Sequence, residues 1–277
     1  ETVRERVTKL PVPHLTDMLV QGTEMWFSSE DGAFSKEPDR YRYFASKRWL
    51  DQNRILDMVA DSKGNVYLLT PSGLNKIEYI THTLAQKAEY FQDRIRKYFM
   101  RYGFVCALRF NTPFDLTTAK SVDHDNDGLW TSFYLGSQAF RYATTGEPIA
   151  RRYVWEAFEA YERLLSINPL KGFPSRTFER EGHKIADKDR WRNSPEEGWE
   201  WKGHTSTDEY IAYLFVAAVM DQFITQNEAE RQRVANFIDA IMTHILENDF
   251  YFVDVDGKPT LWARWNPEYV NRFPRHV

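Results

Sequence analysis

The sequence predicts a mixed fold in two parts, with β-propeller-type blades in residues 1–78 and an α/α-toroid-like helical domain in residues 79–277. Three observations lead to this prediction: a repeat of short strands, a change from alternating to helical hydrophobic period near residue 81, and pairs of helices joined by short polar turns. We expect both parts to be incomplete in this chain. A propeller typically takes about four to eight blades, and a closed ring of helical hairpins needs more helices than are predicted here.

The β-rich part carries an internal repeat. Asp17 and Asp57 are 40 residues apart, and Gly32 and Gly73 are 41 apart, each glycine following a short apolar strand pattern. A period of this length with turn glycines is typical of propeller blades. Residues 49–77 resemble the blade repeat of two-component-regulator propellers, which implies a link to bacterial sensor and polysaccharide-utilisation proteins.

From residue 81 onwards, apolar residues recur at three- and four-residue steps, as on one face of a helix. Pro148 suits the first turn of a helix that returns after a short turn. Asp256-Gly257 between apolar flanks predicts a β-hairpin in residues 251–265. Helices are predicted over residues 84–99, 129–143, 148–167, 207–225 and 228–247.

Composition excludes several classes of function. The net charge is −4 and no basic block is present, so no nucleic-acid partner is expected. No apolar run is long enough for a membrane span. Cys106 is the only cysteine, so neither a disulfide framework nor a thiolate metal site is predicted. Sequence motifs of nucleotide-binding, serine-hydrolase and zinc-protease sites are absent. The aromatic content of 16% suits either a ring-rich core or a carbohydrate site.

Four polar clusters in predicted loops are candidate parts of one site, and two of them lead directly into a helix. Their histidines, carboxylates, arginines and tryptophans suit binding and acid–base chemistry on a sugar. The clusters are residues 124–127, 173–177, 199–210 and 262–266.

Two of these clusters also have structural interpretations. Asp123, Asp125, Asp127 and Gly128 match the first half of a calcium loop, although its twelfth position would be Tyr134 rather than Glu. Asp125 and Asp127 are therefore candidate ligands of a divalent cation such as calcium, with helix capping and substrate contact as alternatives. Ser206, three residues before Glu209, matches a capping box.

Five blocks of the chain resemble polysaccharide lyase family 27, the L-rhamnose-α-1,4-D-glucuronate lyases of Bacteroidetes. They are residues 87–105, 124–147, 172–178, 201–210 and 256–271. The resemblance implies a secreted or periplasmic enzyme that acts on an acidic polysaccharide or oligosaccharide and releases terminal rhamnose from arabinogalactan-type side chains.

β-Elimination on glucuronate requires a base, a proton donor and neutralisation of the carboxylate. His204 or His124 is the candidate base, and Tyr134 or Tyr210 is the candidate donor. The carboxylate would meet Arg176, Arg264 or a cation held by the two aspartates. As substrate-binding residues we expect Asn126, Trp130, Trp199, Trp201, Asp208, Glu209, Arg264 and Trp265.

Two other functions remain open at this point. A glycoside hydrolase on the same toroid would use paired carboxylates such as Asp127 and Asp208. A non-catalytic sugar-sensing module of a regulator system would bind without turnover, as the blade repeats permit.

Overall fold

A computed structural model describes residues 9–113, 115–183 and 186–272. The chain divides into two compact units, Glu1–Ala88 and Glu89–Val277. The fold is mixed α/β, and its described part has several small antiparallel sheets and six α-helices.

The first unit contains two antiparallel sheets, each with its strands in chain order. The first sheet comprises β1 (Leu15–Gln21), β2 (Glu24–Ser29), β3 (Gly32–Lys36) and β4 (Tyr41–Phe44). The second comprises β5 (Asp57–Ala60), β6 (Val66–Thr70) and β7 (Gly73–Ile77). Trp26, Val66 and Leu68 are fully buried in the core of this unit.

The sequence repeat corresponds to a structural repeat within this unit. Gly32 begins β3 and Gly73 begins β7, so the two glycines occupy the same turn of the two sheets. A hydroxyl bonds to each turn: Ser29 Oγ donates to the carbonyl of Gly32 at 2.7 Å, and Thr70 Oγ1 donates to that of Gly73 at 3.0 Å. Gly32 has φ of 124°, and a Cβ there would lie 2.5 Å from the Phe44 carbonyl oxygen. Only glycine fits that turn.

Five of the described helices have ends within about two residues of the predicted ones, and a sixth, the short last helix, was not predicted. The described helices are α1 (Leu84–Tyr98), α2 (Asp127–Thr145), α3 (Pro148–Ser166), α4 (Thr207–Phe223), α5 (Glu228–Glu247) and α6 (Pro267–Arg272). The helical hairpins α2–α3 and α4–α5 are therefore confirmed. Gly146, in the left-handed conformation with φ of 69°, ends α2, and Pro148 starts α3. The Asn227 side chain caps α5.

The four long helices form two layers. In one layer α2 lies along α4: Gly136 faces the ring of Phe215, and the rings of Phe140 and Phe223 are 5.4 Å apart. In the other layer α3 meets α5, where the rings of Phe158 and Phe237 are 5.0 Å apart. The buried apolar residues between the layers form the core of this unit.

Short antiparallel sheets connect these helices. They are β8 (Met100–Arg101) with β9 (Phe104–Val105), β10 (Ala107–Phe110) with β11 (Ala119–Val122), β12 (Thr177–Arg180) with β14 (Trp199–Lys202) and β13 (Trp191–Asn193), and β15 (Tyr251–Val253) with β16 (Pro259–Arg264). The sequence predicted only the last pair. In the three-stranded sheet β14 is central, so β13 and β14 pair across the loop between them while β12 pairs with β14 from further away in the chain.

Within the ranges that the structure describes, no helix is long and apolar enough to cross a membrane.

Candidate functional site

The N-terminal ends of α2 and α4 lie side by side. The backbone N–H of Leu129, in the first turn of α2, donates to Oε1 of Glu209, in the first turn of α4, at 3.0 Å. Since unpaired N–H groups and the positive ends of two helix dipoles meet here, this end of the helix pair favours negative charge. We call the surface around these two helix starts the mouth.

Arg176 holds three of the predicted clusters together at the mouth. Its Nε donates to the carbonyl of Asp125 at 2.7 Å, and its Nη2 donates to Oδ1 of Asn126 at 2.9 Å. Its Nη1 donates to the carbonyl of His204 at 3.0 Å. The side chain is buried. Arg176 therefore clasps the loops before α2 and α4, and it does not extend into solvent as a substrate-binding arginine would.

The fourth cluster reaches the same place through the hairpin β15–β16. Ser206 forms a parallel bridge with Trp262, and Thr207 Oγ1 donates to the carbonyl of Trp262 at 3.2 Å. The backbone N–H of His204 donates to Oδ2 of Asp254 at 2.7 Å. The four clusters that the sequence singled out thus contribute to one region.

Asp127 belongs to a buried ion pair. It has no exposed surface, and its Oδ2 lies 2.6 Å from Nη2 of Arg101 and 2.6 Å from Oγ1 of Thr177. Arg101 also contacts Oε2 of Glu179 at 2.9 Å. Burial raises the pKa of Asp127, although the charge of Arg101 opposes this shift. A carboxylate in this position does not face solvent. Asp127 and Asp208 therefore do not form the solvent-facing carboxylate pair that was predicted for a hydrolase.

Asp125 is surrounded by cations. Lys202, which is 1% exposed, donates to Oδ1 of Asp125 and lies 2.9 Å from Oδ2 of Asp187. Arg190 lies 3.1 Å from Oδ2 of Asp125. Burial would raise the pKa of Asp125, but the hydrogen bond from Lys202 and the charges of Arg176, Lys202 and Arg190 hold it below its usual value.

The predicted calcium site is not formed in this arrangement. Both candidate ligands, Asp125 and Asp127, contact lysine or arginine nitrogens, and Asp127 already lies in the first turn of α2. Among residues 9–113, 115–183 and 186–272, no three His, Cys, Asp or Glu side chains could hold a metal ion together.

Glu209 links the two helices instead of contacting a substrate. The side chain is fully buried, and its Oε2 has no hydrogen-bond partner among the described residues. Burial raises its pKa well above the usual value, and the Leu129 N–H only partly offsets this. The predicted capping box is also absent, since Ser206 makes no side-chain cap on α4. Glu209 caps α2 from the neighbouring helix.

The predicted proton donors lie in the core. Tyr134 is buried, and its hydroxyl accepts from Nε2 of Gln92 on α1 at 3.1 Å. Tyr210 is fully buried, with its ring 4.1 Å from that of Phe252. Burial raises the pKa of both tyrosines. Neither hydroxyl is presented at the mouth.

Three of the predicted tryptophan contacts are also committed to packing. Trp201 is fully buried, and Trp265 packs half-buried against the core. Trp199 stands at the other end of β14 from Lys202, where the guanidinium of Arg180 covers its ring at 3.9 Å. These rings do not form an open platform.

Only some of the predicted site residues at the mouth are open to solvent. Trp130 on α2 is 48% exposed, and Trp262 on β16 is 54% exposed. His124 and Arg264 are exposed, while His204, Asp208 and Asn126 are half-buried. His204 has a left-handed backbone with φ of 53°, and its Nδ1 is buried without a hydrogen-bond partner in the described part of the chain. Such a conformation is strained for a residue other than glycine.

Sequence reasoning assigned no individual role to Arg101, Lys202 or Asp254. Arg101 pairs with Asp127, Lys202 pairs with Asp125, and Asp254 accepts the backbone N–H of His204, so all three hold residues of the mouth in place. The only signal for Lys202 is its place in a tryptophan-rich strand, where a charge must find a partner if the strand is buried. Arg101 lies in a strand of two residues, and Asp254 follows β15 in the predicted hairpin, where no motif singles it out. Their partners are distant in sequence, so spacing could not reveal them.

Comparisons with known proteins give little further information. No protein family matches the chain, and no curated protein matches it. Among solved structures, the extracellular domain of a putative one-component system from B. thetaiotaomicron is similar over 30% of this chain, with 17% sequence identity and a TM-score of 0.22. The match spans 13% of that chain.

Proposed function

We propose that the unit of residues 89–277 recognises an acidic oligosaccharide at the mouth and that it binds without turnover, as a sugar-sensing module does. The observation that supports this most is the pair of solvent-exposed tryptophans, Trp130 and Trp262, at the start of α2 and beside the start of α4. Flat exposed rings pack on the apolar faces of sugars. The adjacent helix starts favour a negatively charged group of the ligand.

Binding without chemistry is favoured because the groups that β-elimination would need are committed elsewhere. Arg176 donates to three acceptors of the protein itself. Tyr134 and Tyr210 are buried away from solvent. A ligand at the mouth would therefore meet exposed rings, helix starts, His124 and Arg264, but neither of the two tyrosine hydroxyls that were candidate proton donors.

The finer architecture is part of the same proposal. The two sheets of the first unit, with their repeated hydroxyl-bonded glycine turns, support propeller-type blades. The pairing of α2 with α4 in one layer and α3 with α5 in the other supports a segment of an α/α toroid. We propose a secreted or periplasmic location, where such a module would meet polysaccharide.

The test is binding of a rhamnose-capped, glucuronate-containing oligosaccharide to the full chain by calorimetry. We expect Trp130→Ala and Trp262→Ala each to weaken binding about tenfold, the loss of one stacked ring. Trp49→Ala is the matched control, because Trp49 is 47% exposed and lies in the first unit. Equal affinity in all three variants and the parent chain would remove the mouth as the site.

A lyase acting by β-elimination on glucuronate is the second candidate, and His204 is the observation that favours it. Its ring is half-buried, its backbone is strained, and its Nδ1 has no partner in the described structure. Strained backbone at a half-buried histidine is typical of functional positions. In this mechanism His204 or His124 removes the C5 proton, and exposed Arg264 neutralises the carboxylate.

The two candidates give different products from the same oligosaccharide. A lyase releases an unsaturated uronate, seen as a rise in ultraviolet absorbance, and His204→Ala should then lower turnover by about two to four orders of magnitude. Rhamnose release without absorbance would indicate hydrolysis. Binding with neither product supports the sensing module and rejects the lyase.

A further inference from the structure

A second polar cleft lies over one face of the hairpin β10–β11, outside the mouth. It has a volume of about 330 Å³ and is open to solvent. The hairpin contributes Arg109, Asn111, Lys120 and Ser121, and the end of β12 with its following turn contributes Glu179 and His183. None of the residues clasped by Arg176 lines this cleft.

The cleft carries two positive charges placed directly opposite each other. Arg109 and Lys120 are register partners in the antiparallel pair β10–β11. Their side chains therefore lie on the same face, with Cβ atoms roughly 4.5–5.5 Å apart. Like charges in this position repel and destabilise a hairpin. Neither side chain forms an ion pair with another residue in the described ranges.

The carboxylate in the cleft, Glu179, forms no ion pair with Arg109 or Lys120 in the described part of the chain, because both of its oxygens contact other groups. Oε2 of Glu179 is 2.9 Å from Nη1 of Arg101, and Oε1 accepts from the Tyr102 hydroxyl at 2.8 Å. The same Oε1 accepts the backbone N–H of Arg180 at 2.8 Å. Glu179 thus belongs to the buried network of Arg101 and Asp127, and the positive charge of the hairpin face is left for a ligand.

The neutral groups of the cleft also suit an anion. Asn111 lies two residues after Arg109, on the same face of the hairpin, and offers an amide N–H₂. His183 also lines the cleft, and its imidazole is a further nitrogen group for an anion. A guanidinium beside an ammonium and neutral donors is the set that binds carboxylate or phosphate oxygens.

We propose that this cleft binds a small oxyanion between Arg109 and Lys120, supplied either by the carboxylate of an acidic sugar or by inorganic phosphate. The bound anion offsets the repulsion across the hairpin. This site goes beyond the proposed function, since its residues are not those of the mouth and it can exist whether or not the mouth binds sugar.

The experiment measures binding of sodium glucuronate and of sodium phosphate, separately, to the full chain at low ionic strength. The test variant is Arg109→Gln with Lys120→Gln. The control is Arg152→Gln with Lys171→Gln, which removes the same number of exposed charges from the same unit. We expect the test variant to bind at least about tenfold more weakly, and the control to bind like the parent chain.

Thermal unfolding of the ligand-free proteins gives a second readout. If the two cations serve a ligand, the test variant should unfold at the same or a higher temperature than the parent, because the cross-strand repulsion is gone. In the binding experiment, a higher affinity for glucuronate than for phosphate identifies an acidic sugar as the source of the anion. A higher affinity for phosphate identifies the free ion. Equal affinity of test and control variants for both probes, or no binding of either, overturns the proposal.

Discussion

At Arg101 and Asp127 two opposite charges lie almost wholly out of water, with side-chain exposures of 6% and 0%. Removing one of them leaves the other buried without compensation. We expect Arg101→Met to lower the free energy of unfolding by about 3–5 kcal/mol, measured by urea denaturation. Arg141→Met is the control, because its ion pair with Glu147 is partly exposed and should contribute much less.

A double variant separates charge from packing at this pair. Arg101→Met with Asp127→Asn removes both charges, so it should be more stable than Arg101→Met alone. If the single variant were no less stable than the Arg141→Met control, the pair would not hold the start of α2 in place.

Glu209 makes stability depend on pH. Its folded-state pKa lies well above the usual value, chiefly because of burial. The folded chain therefore keeps a proton that the unfolded chain loses above roughly pH 4.3. Stability is full below that pH and falls as the pH rises towards the folded pKa, by up to about 1.4 kcal/mol per pH unit.

Glu209→Gln tests this dependence. Glutamine stays neutral and keeps an oxygen for the Leu129 N–H, so the variant should match the parent at low pH and exceed its stability increasingly above about pH 5. Urea unfolding at several pH values measures the difference. Glu228→Gln, at an exposed glutamate that starts α5, is the control and should show no such divergence. Parallel pH curves for Glu209→Gln and the parent would contradict a buried, protonated Glu209.

At the scale of the element, α2 contains two glycines with different surroundings. A Cβ on Gly128 would lie 2.1 Å from Oε2 of Glu209, which is buried and held by its other oxygen. A Cβ on Gly136 would lie 2.9 Å from the ring of Phe215, which is 37% exposed and can move outwards. Gly128→Ala should therefore cost about 1–3 kcal/mol of stability despite the better helix propensity of alanine.

Gly136→Ala is the matched substitution in the same helix, and it should be near neutral. Circular dichroism during thermal unfolding measures both. Equal effects of the two substitutions would mean that Glu209 is free to turn away, and the contact between the starts of α2 and α4 would be weaker than the geometry indicates.

The elements that could be predicted are those with a local signal. The helix α5 follows from its hydrophobic period, and α3 from Pro148, because these signals depend on residues close in sequence. The sheet of β12, β13 and β14 has strands of three or four residues, and the pairing of β12 with β14 joins residues far apart in the chain, such as Phe178 and Trp201. Short strands without alternation give no such signal.

At the scale of the whole molecule, the sequence predicted that four polar clusters contribute to one region, and the structure brings them together, but several of their side chains are buried. The clusters were singled out as loop residues before helices, and the structure joins them at the mouth through Arg176. Whether Arg176 or Tyr210 faces solvent depends on which buried partners surround it, and those partners are remote in the chain. Polarity and spacing therefore predicted that the clusters lie close together, but not which of their side chains are exposed to solvent.

The two compact units have separate cores, so we expect them to unfold separately. Val66 in the first unit and Val154 in the second are both fully buried. Replacing either with alanine removes two methyl groups and leaves a cavity, at a cost of about 2–3 kcal/mol. Calorimetry should show two transitions, with Val66→Ala lowering the temperature of one and Val154→Ala lowering that of the other.

The two substitutions control for each other, since the chemical change is identical and only its place differs. If each valine variant instead lowered a single shared transition by the same amount, the units would unfold as one cooperative body, and the mouth would depend on the β-rich unit for its stability.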